Sequence, residues 1–98
     1  MIKKKPARKV YETDKEVWER YALAIYDYRL KTDLKQAELA KKWELNPTHF
    51  SDVLAGRKNL TIDMIEAAGK FGNINLNYVV MGIGDMYVEL PVKVKKSA

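Results

Sequence analysis

Ninety-eight residues, no cysteine and a formal charge of +5 bound what this chain can be. One domain fits, with no disulfide framework, no cysteine-ligated metal site and no room for a separate sensor or catalytic domain beside so small a core. Apolar runs such as Tyr78-Val79-Val80-Met81 are far too short to span a bilayer, and the charged start has no apolar segment behind it to make a secretory signal, so no membrane role and a cytoplasmic location are expected.

The charge is concentrated at the two ends. Residues 1–12 carry Lys3, Lys4, Lys5, Arg8 and Lys9 against Glu12, and residues 89–98 carry Lys93, Lys95 and Lys96 against Glu89. The 76 residues between hold ten basic and eleven acidic side chains and are close to neutral. The first segment, with Pro6, reads as a flexible basic arm. It suits plain solvation, a DNA-contacting arm or a localisation signal, and its composition leaves all three open.

Thr13-Asp14-Lys15-Glu16 matches the S/T-x-x-E capping box. A first helix is predicted from about Asp14 to Lys31. Val17, Tyr21, Ala24, Ile25 and Tyr28 share one of its faces, and Trp18, Ala22 and Tyr26 widen it. This whole face is core on the simpler reading; on the sharper one Trp18 and Tyr26 stay partly outside to meet a tail or a partner. Thr32-Asp33 breaks the helix.

Gln36 to Trp43 reads as a short amphipathic helix buried through Leu39, Ala40 and Trp43. Glu44-Leu45-Asn46 is a tight break. Pro47 to Ala55 reads as another short helix, with Asn46 as its cap and Pro47 at the first helical position. Phe50, Val53 and Leu54 face inward and Gly56 supplies a left-handed stop. Two short helices joined so closely cross steeply and share a small core, the geometry of a helix-turn-helix, whose second helix can enter a DNA major groove.

Thr61 should cap a fourth helix buried through Met64, Ile65, Ala68 and Phe71 and stopped by Gly72. Asn75 should cap a short fifth through Tyr78, Val79 and Met81, ended by Gly82. Beyond it Val88, Leu90, Val92 and Val94 alternate with polar residues, a strand-like period that Pro91 confines to an edge or an extended tail. The expected architecture is all-α with five helices: a basic arm over 1–12, a helix-turn-helix domain over 13–86 and an extended tail over 87–98.

Residues Leu34 to Met86 resemble the Cro/XRE family of helix-turn-helix proteins, the family of the lambdoid phage repressors. The resemblance is carried by Gln36-Ala37-Glu38-Leu39-Ala40, by Asn46-Pro47-Thr48-His49-Phe50-Ser51, by Gly56-Arg57-Lys58-Asn59-Leu60, and by the run Ile74 to Met86 with its glycine-rich end. It implies a lambda repressor-like fold that binds double-stranded DNA as a homodimer. Base contacts are implied at Asn46, Pro47, Thr48 and Asp52. Phosphate contacts are implied at Lys35, Gln36, His49, Ser51, Arg57, Lys58 and Asn59, with the arm residues Lys3, Lys4, Lys5, Arg8 and Lys9 adding to them. Where the family's turn usually has glycine this chain has Glu44, and where helix 2 usually has a Ser or Thr cap it has Lys35.

Catalytic and cofactor sites are not expected. His49 is the sole histidine and lacks co-ligands at sensible spacing. Gly82-x-Gly84 fails the context of a dinucleotide fingerprint, and Asp63 and Glu66 read as the solvated face of helix 4. The leading expectation is a sequence-specific transcriptional regulator, most simply a repressor. The alternative is a protein-interaction module, such as the antitoxin of a toxin–antitoxin pair, with Trp18, Tyr26 and the tail as its partner surface.

Overall fold

The computed structural model describes residues 14–88. The basic arm, Thr13 and residues 89–98, with most of the strand-like tail, lie outside the described residues. Within them the chain is all-α, with α1 Lys15–Thr32, α2 Gln36–Lys42, α3 Pro47–Leu54, α4 Ile62–Gly72 and α5 Leu76–Met81.

The caps explain where the helices begin. Asp14 opens α1, its carboxylate accepting from the Glu16 amide at 2.9 Å, so the cap stands one residue later than the Thr13 the sequence suggests. Asn46 opens α3 by accepting from the His49 amide at 3.0 Å, with Pro47 directly behind it. Thr61 opens α4 and Asn75 opens α5 in the same manner. Lys35 has no side-chain acceptor to offer α2, and the Glu38 carboxylate instead accepts from the Lys35 amide at 2.9 Å.

The helix ends are set by left-handed residues. Asp33 at φ 59° closes α1 and Gly82 at φ 73° closes α5. The end of α4 corrects the sequence reading. Gly72 is its last helical residue, and Asn73 makes the left-handed stop at φ 54°. Gly72 answers a different need, since a Cβ there would lie 2.7 Å from Trp43 Cζ2.

One core joins all five helices. It contains Tyr21, Ala24 and Ile25 of α1, Leu39, Ala40 and Trp43 at α2, Phe50 and Val53 of α3, Met64, Ile65, Ala67 and Ala68 of α4, and Val79 of α5. Leu60 and Ile74, both in links between helices, are buried with them. Fully burying a side chain such as Phe50 or Leu39 contributes about 1.5–3 kcal/mol. Val17, Tyr28, Leu54 and Phe71 are only partly buried at its margin, and Trp43 packs on Tyr28 with ring centroids 5.3 Å apart.

Polar contacts hold α5 and the following segment in place. The Arg20 guanidinium donates to the Val79 and Val80 carbonyls at 3.0 and 3.2 Å, placing a cation at the carbonyl end of α5, where the helix dipole favours it. After α5 the chain folds back on the α4–α5 link. The Asn75 amide donates to Met86 O and the Val88 amide to Asn73 O, each at 2.8 Å. Ile74 and Tyr87 form an isolated antiparallel bridge, so the strand-like period contributes one bridge, and no strand, among the described residues. The Tyr87 hydroxyl donates to Asp27 at 2.8 Å and ties the segment to α1.

Candidate nucleic-acid interface

The α2–α3 unit owes its shape to its two ends. At the end of α2 the Leu45 amide donates to Ala40 O at 2.8 Å and the Glu44 amide to Lys41 O at 3.0 Å. This is the Schellman pair, and it puts Glu44 in the left-handed region at φ 62°. The conformation that glycine supplies most easily is therefore present with glutamate in it. Ala40 is fully buried in α2, in the same core as Leu39 and as Phe50 of α3.

With Phe50 and Val53 turned inward, Thr48, Asp52 and Ala55 fall on the opposite side of α3. Thr48 is exposed and Asp52 half-buried. Asn46 is exposed at the start of the helix, and Pro47, His49 and Ser51 are half-buried on its flanks. The four residues implied as base contacts, Asn46, Pro47, Thr48 and Asp52, thus gather around the first turns of α3. The cap consumes part of Asn46, whose Oδ1 accepts from the His49 amide.

The sequence placed Asp52 and Arg57 in separate roles, and the structure brings them together. The Arg57 Nε and Nη2 both donate to Asp52 Oδ1, at 3.1 and 2.9 Å. Nothing in an i, i+5 spacing on a helix announces such a pair. It exists because Gly56, at φ 83°, turns the chain back. The Gly56 amide meets Val53 O at 3.0 Å and the Arg57 amide meets Asp52 O at 2.8 Å, a second Schellman pair that seats Arg57 over Asp52.

Of the implied phosphate contacts, Lys35, Lys58 and Asn59 are exposed and Gln36 is half-buried at the start of α2. Lys35 and Gln36 stand at one end of the unit, and Arg57, Lys58 and Asn59 follow α3 at the other. With Arg57 and Asp52 neutralising one another and Glu38 and Glu44 nearby, the unit presents little net positive charge. The five arm cations lie outside the described residues.

A contact the sequence did not announce fixes α3 against α1. The Trp18 indole Nε1 donates to Val53 O at 2.7 Å. Trp18 is thereby a half-buried strut, whereas Tyr26, its companion on α1, is 58 % exposed. Tyr26 joins Leu23 and Leu30 in an apolar stripe on the outer face of α1.

On the far flank of α3 an open cleft of 420 Å³ is lined by residues including Glu44, His49, Asp63, Glu66 and Lys70. Among the described residues no three His, Cys, Asp or Glu side chains stand close enough together to hold a metal ion. None of the helices described is long and apolar enough to cross a membrane.

The perturbed ionisable groups lie away from α3. Burial pushes the Tyr21 phenol well above its ordinary range, and its hydroxyl has no hydrogen-bond partner among the described residues. Partial burial opposes ionisation of Asp27, but the hydrogen bonds from Lys31 and Tyr87 outweigh it and hold the carboxyl below its usual value. Burial, followed by the bond to Asp27, raises Tyr87.

No family model, no curated protein and no solved structure matches this chain.

Proposed function

We propose that this chain is a sequence-specific DNA-binding regulator of the lambda repressor-like, Cro/XRE type. On this reading it acts as a homodimer on a pseudo-palindromic operator and represses by occupying it. The observation that carries the proposal is the construction of α3. Its inner face is sealed into the core through Phe50 and Val53 and its carbonyl end is braced by Trp18. Its outer face, with Asn46, Thr48 and the Asp52–Arg57 pair, takes no part in the core. A short, rigid helix with a polar outer face is what major-groove reading requires. Two copies related by a two-fold axis would meet half-sites about one helical turn apart, roughly 34–36 Å.

Measuring affinity against salt, on selected and on random duplexes, tests this. A straight fall of log K with log salt is expected, together with a selected duplex bound at least tenfold more tightly than random ones. A flat salt response, or equal affinity for every sequence, refutes it.

A second reading draws on one observation, the stripe of Leu23, Tyr26 and Leu30, between 52 and 63 % exposed on α1. It would serve an interaction module such as an antitoxin, with Tyr26 rather than the braced Trp18 in the partner surface. Replacing Tyr26 and Leu30 together by polar residues separates the two. Loss of a protein partner with DNA binding intact favours the module. Joint loss of dimer and operator binding favours the regulator.

A further inference from the structure

We infer that Arg57, buttressed by Asp52, reads a guanine in the major groove, and that Asp52 itself makes no base contact. The inference rests on the DNA-binding reading above and reverses the roles that the sequence resemblance implies for these two residues.

The argument is one of geometry and donor count. A guanidinium carries five N–H donors. Asp52 Oδ1 takes the Nε–H and one Nη2–H at 3.1 and 2.9 Å. Three donors remain, and the Nη1–Nη2 edge that holds two of them matches the O6 and N7 acceptors of guanine, the pairing arginine makes most often with a base. The pair is directed rather than incidental. Gly56 turns the backbone back at φ 83°, the Arg57 amide is bonded to Asp52 O, and the side chains then meet above the helix. The Asp52 side chain is only 22 % exposed and the Arg57 side chain 64 %, so the carboxylate is the inner support and the guanidinium the outer, presented group.

Charge supports the same assignment. An unpaired carboxylate on this face would be repelled by the phosphates on both sides of a groove, and Arg57 removes that repulsion. In return Asp52 restricts the guanidinium to one plane, which lowers the rotamer entropy lost on binding. An arginine meant only for phosphate needs no such restraint, since Coulomb attraction to a phosphate tolerates many orientations.

The test is selection of binding sites from a randomised duplex pool by the full chain and by two variants, Asp52→Asn and Arg57→Lys, each checked for an unchanged melting curve. The wild-type chain is expected to select a guanine at one fixed position in each half-site, preferred over other bases by roughly tenfold to a hundredfold. Asp52→Asn should blur that position to a few-fold preference while binding random duplex no more weakly, because a negative charge has gone. Arg57→Lys should lose the preference, since an ammonium cannot make the bidentate contact. A selected site without a fixed guanine overturns the assignment and leaves the DNA-binding reading standing. So does an Arg57→Lys chain that selects the wild-type site, or an Asp52→Asn chain whose guanine preference is unchanged. Failure of the wild-type chain to bind any duplex at low salt overturns both.

Discussion

Glu44 offers the sharpest test of how the α2–α3 turn is held. Its φ of 62° places it in the left-handed region, which costs a residue with a Cβ about 1–2 kcal/mol and costs glycine almost nothing. Glu44 is exposed, so truncating it sacrifices little packing. Replacing it by Gly and, separately, by Ala isolates the conformational cost, because both variants remove the carboxylate and only one removes the strain. Glycine's larger freedom in the unfolded chain takes back about 0.4–1 kcal/mol of the gain. Taking the middle of each range, the Gly variant should therefore be more stable than the Ala variant by about 0.8 kcal/mol. In a domain of this size that separates their melting temperatures by about 3–6 °C. Thermal unfolding followed by circular dichroism at fixed pH and salt reads the difference directly. Coincident melting curves, or an Ala variant that melts higher, would refute the claim that the turn is strained at this residue. DNA affinity is a separate readout. Both variants lose the same charge beside α3, so on the proposed function both should bind random duplex more tightly and to the same degree at low salt.

Gly72→Ala should destabilise the fold. The new Cβ would stand 2.7 Å from the buried Trp43 ring, and overpacking of that kind costs about 1–3 kcal/mol, partly offset by about 1 kcal/mol of helix propensity; urea denaturation measures the balance, and a gain in stability would refute the close approach. Tyr21→Phe should be neutral or stabilising by up to about 1 kcal/mol, because the buried hydroxyl has no hydrogen-bond partner among the described residues, and a clear loss of stability would mean the hydroxyl is satisfied. Tyr87→Phe removes the bond to Asp27 and should cost about 1 kcal/mol at neutral pH. The sign of its pH dependence follows from Asp27, whose carboxyl is held below its ordinary range in the folded state. That stabilisation is present above the unfolded pKa of about 3.9 and is lost as pH falls through the lower folded value. The gap between wild type and Tyr87→Phe should therefore be full at pH 6 and close as the solution is acidified; a gap independent of pH down to the acid transition would refute the coupling.

What could be read from the sequence was the local chemistry. Asn46-Pro47, Thr61 and Asn75 open helices because each places a side-chain oxygen within reach of a free amide one turn on, and Gly56 and Gly82 close them for want of a Cβ. The errors arose where two residues compete for one role. Thr13 and Asp14 are both good caps, and the spacing to Glu16 favours the first, while the carboxylate of the second reaches the Glu16 amide. Gly72 and Asn73 can both adopt the left-handed stop; Trp43, distant in sequence, needs Gly72 for its small size and leaves the turn to Asn73. The candidate site divides along the same line. The outward position of Thr48 and Asp52 follows from helical periodicity once Phe50 is assigned to the core. The Trp18 strut on Val53, and the Arg57 pair that depends on a turn at Gly56, belong to tertiary geometry, which no periodicity encodes. The pair also resolves a difficulty that composition alone creates. An acidic residue on the outer face of α3 weakens the case for nucleic acid only if it stands unpaired. Bonded to Arg57, Asp52 leaves that face neutral and oriented. On the proposed function, attraction to phosphate would then fall to cations elsewhere, chiefly Lys35, Lys58 and the arm, and the helix would be left to discriminate. A division of that kind is what a weakly charged recognition surface attached to a basic arm is suited to perform, because charge governs how strongly any duplex is held and a fixed guanidinium governs which one.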